Sequence, residues 1–280
     1  MPELSPLEVT EEFVESKTDL KGFKHTTLSQ RINSDFEQMK REQTQSNQLQ
    51  NLVVTRSGNI VYDYSRLSKT INSVKSIVCI GDSVARGLHA SKNYGQYLGE
   101  KLNATITNLA VSGATFSTAD SNNIFNQAKN VRNADLVIVQ GTDDDWLNGN
   151  GVKLGTDKTD VSTFLGAFHQ IVRLIQAQNP GVKIICMTAT RQLPVNSNGI
   201  RRRDTDKNGL NLTLEDYVNA QVLACTELNV SVFDAYHTNI IDVYNPAFRV
   251  KYMPDGLHPN ELIHEVIMYE LLKNYYYYYG

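Results

Sequence analysis

Short apolar runs alternate with helical periodicity from about Val74 onward, and this pattern predicts the main fold. Runs typical of buried strands lie at 77–80, 106–111, 136–139, 184–187 and 230–233. Segments with helical spacing lie between them at about 91–102, 161–178 and 213–228, with a last one at about 261–274. Such alternation favours a parallel sheet covered by helices on both faces. We therefore predict an α/β fold over residues 74–274, a three-layer α/β/α sandwich whose ligand site lies at the carboxyl ends of the strands.

Residues 1–73 differ in composition from the rest of the chain, and their pattern predicts a mainly helical appendage. They are rich in Glu, Gln, Asn, Ser and Thr, with few apolar side chains. Leu28, Ile32, Phe36 and Met39 recur at helical intervals and form one apolar stripe on a polar helix at about 27–49. This stripe either packs on the chain's own main domain or serves attachment, as in a homo-oligomer or a larger assembly.

The last predicted helix runs into five consecutive tyrosines at 275–279, followed by Gly280. Tyrosine rings can stack on sugars or fill an interface. A terminal run of one residue type is more typical of a frayed end or an interface contact. We therefore treat 275–280 as a tyrosine-rich tail outside the main domain.

The composition of this 280-residue chain excludes some classes of binding partner. It carries 27 basic and 30 acidic side chains, a net charge of −3, which argues against nucleic acid or an anionic membrane as partner. The sequence shows neither a signal-peptide pattern nor an apolar stretch long enough to span a membrane. Its three cysteines are widely spaced beside apolar runs, which indicates buried reduced thiols.

A candidate nucleophile follows the first strand, and a candidate base lies near the other end of the chain. In Gly81-Asp82-Ser83, a tight turn would lift the Ser83 hydroxyl onto the edge of the sheet. Asp255, three residues before His258 on a loop, can accept a hydrogen bond from imidazole Nδ1 and leave Nε2 for a serine hydroxyl. The remaining histidines are interpreted as structural or surface residues: His25, His89, His169, His237 and His264.

Two further strand ends supply candidate oxyanion groups. Gly113 follows the second strand and offers an unobstructed backbone N–H, and Gly141-Thr142-Asp143-Asp144 follows the third strand. Acyl transfer needs donors aimed at the developing oxyanion. Three strand ends are therefore expected to converge on one pocket.

Four sequence blocks occur in this order: Gly81-Asp82-Ser83, then Gly113, then Gly141-Thr142-Asp143-Asp144, then Asp255 with His258. Their order and spacing resemble those of the SGNH, or GDSL-type, serine hydrolases, over about residues 74–274. The resemblance implies a flavodoxin-like α/β/α fold and ester hydrolysis without a cofactor. It implies Ser83 as nucleophile, His258 as general base and acid, and Asp255 as its orienting partner. The N–H groups of Ser83 and Gly113 would be oxyanion donors.

The segments GT at 141, KLGT at 153, LEDYV at 214 and DGLHPN at 255 are similar to members encoded in phage and prophage tail regions of Gram-positive bacteria. Those members are thought to remove acyl groups from surface carbohydrates or wall polymers. The resemblance implies an acylated carbohydrate or small ester as substrate and virion assembly through the N-terminal helix. The chain would then be virion-associated if phage-encoded, and cytoplasmic otherwise.

Asp143 departs from the family pattern, which has an asparagine at this position as third oxyanion donor. An ionised carboxylate accepts hydrogen bonds and donates none. Either Asp143 is held protonated, or the enzyme is impaired, or the site only binds. The alternative to an esterase is therefore a weakened domain that binds a carbohydrate or serves as a structural part of a phage tail.

A second pattern predicts a candidate structural calcium site. The segment 204–215 matches the twelve-residue calcium loop at its ligand positions, with a glycine at position six. The candidate ligands are Asp204, Asp206, Asn208, Leu210 through its carbonyl, and Glu215. No entering helix precedes the loop, and Thr213 with Asp216 also predicts a capping box for the next helix. A calcium site and a solvated turn both remain open.

Overall fold

The computed structural model describes residues 73–279 and, before them, two short strands. The chain divides into two units, Met1–Ser65 and Arg66–Gly280. In the first unit, β1 (Leu52–Val54) pairs antiparallel with β2 (Ile60–Tyr62). The helix predicted at 27–49 lies outside the described residues.

The second unit is built on a five-stranded parallel sheet. Its strands, in chain order, are β3 (Ser76–Ile80), β4 (Thr105–Asn108), β5 (Leu136–Gln140) and β6 (Lys183–Met187). A small antiparallel hairpin follows, formed by β7 (Val195–Asn196) and β8 (Gly199–Ile200), and then the last strand, β9 (Ser231–Phe233). The spatial order is β4-β3-β5-β6-β9, so the chain starts inside the sheet, moves to one edge and then crosses to the other.

Helices connect these strands; the four longest described helices lie where the periodicity predicts them, and the four shorter ones were not predicted. The helices before the loop of the small hairpin are α1 (Ser83–Arg86), α2 (Tyr94–Leu102), α3 (Ile124–Ala128), α4 (Asp143–Leu147) and α5 (Phe164–Gln178). The later helices are α6 (Leu214–Glu227), α7 (Pro246–Tyr252) and α8 (Glu261–Tyr279). The predicted capping box is confirmed at the start of α6, where the Thr213 side chain accepts from the Asp216 N–H and Asp216 accepts from the Thr213 N–H.

Side chains of each central strand alternate between two cores, which confirms the three-layer sandwich. Val78 and Ile80 of β3 face a core shared with α5 and α6, whereas Ile77 and Cys79 face a core shared with α2 and α8. All four are nearly or fully buried. The expected thiols are confirmed as well, because the three cysteines are free and buried. No helix among the described residues is long and apolar enough to cross a membrane.

Two details of the sequence prediction are wrong. The run at 106–111 does not form a buried strand, because β4 is an edge strand that pairs only with β3, ends at Asn108 and is largely exposed. The tyrosines also do not form a tail. They continue α8, where Tyr275 is buried and the Tyr279 hydroxyl donates to the Ile184 carbonyl oxygen at 2.6 Å. Packing against the sheet thus carries the helix beyond residue 274.

Candidate active site

The turn after β3 presents Ser83 at the carboxyl edge of the sheet. Gly81 has a φ of 154°, and an added Cβ would lie 2.5 Å from the Gln140 carbonyl oxygen, so glycine is required there. Asp82 caps α1, since its Oδ1 accepts the Val84 N–H at 2.7 Å. Ser83 is the first residue of α1 and projects from this fixed turn.

Ser83, His258 and Asp255 form one hydrogen-bonded chain, as the sequence predicts. The Ser83 Oγ lies 2.9 Å from Nε2 of His258, and Nδ1 of His258 lies 2.6 Å from Oδ2 of Asp255. The second carboxylate oxygen of Asp255 accepts the backbone N–H groups of Leu257 and His258 at 2.9 and 2.8 Å. The turn therefore fixes the carboxylate, which in turn fixes the imidazole.

The surroundings of Asp255 keep this orienting carboxylate charged. Burial raises the pKa of Asp255, but the hydrogen bonds from the His258 ring and from the N–H groups of His258 and Leu257 outweigh it and lower the pKa to about 2. Asp255 therefore stays ionised across the neutral range. Its charge favours the imidazolium that forms when His258 takes a proton.

His89 was missed by the sequence analysis. It lies 166 positions from Asp255, yet its Nε2 is 3.8 Å from the Asp255 Oδ2, and its ring contacts the edge of the His258 ring at a centroid distance of 5.3 Å. Its backbone is left-handed, with a φ of 66°, shortly after the left-handed Gly87. No local sequence signal distinguishes this histidine from the surface histidines, because only the fold brings it to the triad.

The second block is tied to the first by the backbone. The Val111 N–H donates to the Gly81 carbonyl oxygen at 3.0 Å, which places the turn at 111–114 beside the Ser83 turn. Gly113 is exposed there with a φ of 78°, and an added Cβ would meet no atom within 4 Å. The region above this candidate oxyanion donor is therefore open for a ligand.

The third block is held by close packing and local strain. An added Cβ on Gly141 would come within 3.0 Å of the Phe116 ring, so glycine is needed for this contact. Thr142 has a φ of 138°, which is rare for a β-branched residue, and its hydroxyl contacts Gln221 Oε1 at 2.5 Å. Strain of this kind, held by surrounding contacts, is typical of functional sites.

Asp143, the first residue of α4, is buried and anchored by the Gln192 side chain, which Arg202 holds in turn. The Gln192 Nε2 donates to the Asp143 Oδ2 at 2.7 Å, and the Gln192 Oε1 accepts from Arg202 Nη2 at 2.8 Å. The Gln192 amide is therefore directed at Asp143. Gln192 and Arg202 lie in no recognised motif, so their role was not predicted from the sequence.

Two more carboxyl groups crowd Asp143. Oxygens of Asp82, Asp143 and Asp144 lie within 4.8 Å of one another. Burial, and then the nearby Asp143, raise the pKa of Asp82 well above its usual value. Burial, and then the charges of Asp143 and Asp82, raise the pKa of Asp144 to about 9. Asp144 is therefore neutral at neutral pH and can donate a proton in a hydrogen bond.

The predicted calcium ligands are bonded to separate protein groups. Asp204 is fully buried and accepts from the Tyr244 hydroxyl at 2.7 Å and from Arg191 Nε at 3.2 Å. Asp206 accepts the Arg203 N–H, the side-chain Oδ1 of Asn208 accepts the N–H groups of Leu210 and Leu212, and Glu215 contacts His237. The calcium site stays a prediction. Asp204 also accepts the Gln192 N–H at 2.9 Å, so the loop supports the residue that holds Asp143.

The parallel α/β/α sandwich and the serine–histidine–aspartate chain at its carboxyl edge define a serine hydrolase of the SGNH type. The profile of the GDSL-like Lipase/Acylhydrolase family matches residues 79–266. The chain therefore belongs to this family and is a serine esterase, whose chemistry requires no cofactor. A comparison with curated proteins found no match.

Solved structures have the same fold. One is 26% identical with a TM-score of 0.65, and the alignment covers 74% of this chain and 98% of the other. A protein from Lactobacillus plantarum is 24% identical, with a TM-score of 0.61 and coverage of 71% and 95%. A possible lipase from Chitinophaga pinensis is 21% identical, with a TM-score of 0.58 and coverage of 72% and 97%. The last two likenesses concern the fold alone.

Proposed function

We propose that the protein hydrolyses short acyl esters, such as O-acetyl groups on a carbohydrate or cell-wall polymer, through an acyl-serine intermediate at Ser83. The observation that carries this proposal is the continuous chain from the Ser83 hydroxyl through His258 to Asp255, with heavy-atom distances of 2.9 and 2.6 Å. These distances are within the range for a nucleophile and its base.

In the first half-reaction, the Ser83 Oγ attacks the ester carbonyl carbon while His258 Nε2 takes the hydroxyl proton. The tetrahedral oxyanion accepts hydrogen bonds from the N–H groups of Ser83 and Gly113. Its collapse breaks the bond to the alkoxy oxygen, which leaves as an alcohol with the proton from Nε2. In the second half-reaction, water attacks the acyl-serine, Nε2 takes its proton, and the carboxylic acid leaves as Ser83 is reprotonated.

A polar cavity supports a hydroxyl-rich substrate. It has a volume of about 470 Å³, and amide, hydroxyl and charged groups make up most of its lining together with glycines and two apolar residues: Ala119, Asn148, Gly149, Asn150, Gly151, Val152, Lys153, Asp160, Ser162 and Thr163. The cavity lies beyond the end of α4, which begins at Asp143. A helix of this length spans about 8 Å, so α4 links Asp143 to the lining of the cavity over a short distance.

Fluorophosphonate labelling and substrate hydrolysis test this function. Ser83 alone should be labelled, and labelling should disappear in Ser83→Ala and in His258→Ala. The wild type should release p-nitrophenol from its acetate ester and acetate from acetylated sugars. Labelling that persists in Ser83→Ala, or its absence from the wild type, would contradict the assignment of the nucleophile.

Asp143 favours a second candidate, a catalytically weakened domain that binds a carbohydrate as part of a phage tail. The position that carries an amide donor in related enzymes holds a carboxyl group here, and this group already accepts from Gln192. In this proposal the predicted helix at 27–49 serves attachment or oligomerisation. Glycan binding by a protein that hydrolyses none of a panel of small esters and acetylated sugars would favour this candidate.

A further inference from the structure

We propose that His89, Asp255 and His258 form an inhibitory binding site for a transition-metal dication such as Zn²⁺. Each residue offers one ligand atom, and these three atoms lie within 4.8 Å of one another. Two imidazoles and one carboxylate are a ligand set that Zn²⁺ prefers, with a fourth position left for water. The site regulates the esterase proposed above and rests on it for its functional effect, but not for metal binding.

The distances around Asp255 Oδ2 suit one ion after a small adjustment. This oxygen lies 2.6 Å from His258 Nδ1 and 3.8 Å from His89 Nε2. In a tetrahedral zinc site with bonds of about 2.1 Å, ligand atoms are about 3.4 Å apart. One separation must therefore open and the other must close, each by less than about 1 Å. His89 is free to adjust, since its side chain is 62% exposed.

The position of the site explains why the metal would inhibit. His258 Nε2 faces the Ser83 hydroxyl, so Nδ1 is the nitrogen directed at Asp255 and His89. When the ion binds Nδ1, the single N–H proton of the neutral ring leaves Nδ1 and is taken up at Nε2, so the imidazole becomes the Nε2–H tautomer. An Nε2–H donates to the Ser83 hydroxyl and cannot accept its proton. The ion thus removes the base and also takes its orienting carboxylate.

The kinetic signature follows from the same geometry. The ion would lie on the Asp255 side of the imidazole, away from the nitrogen that faces Ser83. Zn²⁺ should therefore lower kcat for p-nitrophenyl acetate with little change in KM. It should also suppress fluorophosphonate labelling of Ser83, because this reaction needs the same base.

His89→Asn is the decisive variant. Asparagine tolerates the left-handed backbone at this position but offers no imidazole nitrogen. Loss of a supporting partner of a metal ligand typically weakens metal binding about 10- to 100-fold, and loss of a ligand should cost at least this factor. We expect the Zn²⁺ concentration for half-inhibition to rise by that factor, relative to each protein's own metal-free rate.

His237→Asn is the matched control. His237 is also exposed and contacts two carboxylates, but Asp234 lies at its Nδ1 and Glu215 at its Nε2, so the two cannot join His237 around one ion. This variant should be inhibited by Zn²⁺ like the wild type. An equal shift in both variants would contradict the site.

Calorimetric titration of the chelator-treated protein with Zn²⁺ separates this proposal from the esterase proposal. The wild type and His237→Asn should bind one ion with similar affinity, and His89→Asn should bind it at least about tenfold more weakly. If the wild type hydrolyses no ester, the esterase proposal fails while the titration still decides the site. Equal Zn²⁺ affinity in His89→Asn and the wild type, or no binding to the wild type, overturns the metal site.

Discussion

Asp143→Asn should increase the rate of ester hydrolysis. The Gln192 amide donates to one carboxylate oxygen of Asp143 at 2.7 Å, and an asparagine carbonyl can accept the same bond. The amide nitrogen then replaces the second oxygen and provides a donor where a carboxylate can only accept. Asp82 and Asp144 flank this position, and the pKa of each is raised, that of Asp144 to about 9. The substitution therefore removes the charge that a carboxylate at Asp143 places in this cluster.

Two estimates give the same magnitude. Oxygens of the three acids lie within 4.8 Å, and two unit charges at this distance repel by about 3 kcal/mol at an effective dielectric constant of ~20. An oxyanion at a similar distance from an ionised Asp143 would be opposed by this amount, which is about a 10²-fold loss in rate. Removing one oxyanion donor costs about 10² to 10³ in related sites. We expect a gain of up to this size at pH 8.

The assay is p-nitrophenyl acetate hydrolysis from pH 5 to 9 by the wild type, Asp143→Asn and Asp144→Asn. The wild-type rate should fall toward pH 9, where Asp144, whose pKa is raised to about 9, becomes ionised in this cluster. Asp143→Asn should raise the rate at pH 8. Asp144→Asn is the control at pH 8 and below, where Asp144 is still mostly neutral. If Asp143→Asn keeps the wild-type rate and profile while Ser83→Ala is inactive, Asp143 does not face the oxyanion.

Three further outcomes test the stability of the site. Gly81→Ala should lower the free energy of unfolding by about 1–3 kcal/mol more than Gly181→Ala, because the added Cβ at Gly81 would overlap a carbonyl oxygen at 2.5 Å, whereas Gly181 has open space. Urea unfolding measures both losses, and equal losses would contradict the overlap. Asp144→Asn should raise the melting temperature more at pH 8 than at pH 5. The pKa of Asp144 is raised to about 9, so the folded state holds a proton that the unfolded chain releases near pH 4. Wild-type stability should therefore fall with rising pH by up to about 1.4 kcal/mol per pH unit between these two values. Adding calcium or a chelator should leave the melting temperature unchanged, because the candidate loop ligands are bonded to separate protein groups, and a clear calcium-dependent increase would restore the ion site.

The fold was largely predictable, because its signals are local. Buried strands of a parallel sheet are continuous apolar runs, and the long helices carry a regular apolar period, as in α5. The prediction of a buried strand at 106–111 was wrong for a physical reason. Apolar residues at 106 and 109–111 do not indicate how many neighbouring strands a strand will pair with. The prediction of a separate tail at 275–280 was wrong because tertiary packing on β6 extends the last helix through the tyrosines.

The triad was predictable for a similar reason. Asp255 and His258 lie in one turn, and Ser83 directly follows a strand, so local sequence determines their geometry. His89 and Gln192 were not predictable, because each reaches the site through contacts with residues far away in the chain. The loop at 204–215 matches the calcium-loop pattern, but its candidate ligands are bonded to separate protein groups, so the ion site stays a prediction.

The nucleophile and its base are separated by 175 positions, one near the start of the sheet and the other just before the final helix. Neither is functional without the other, so the reaction centre can form only after the whole domain has been synthesised and its first and last segments have docked. Contacts of such long range form slowly compared with local ones. Recovery of ester hydrolysis during refolding would therefore report completion of folding more strictly than recovery of helix content, and a chain that stops before residue 255 would carry an inert serine.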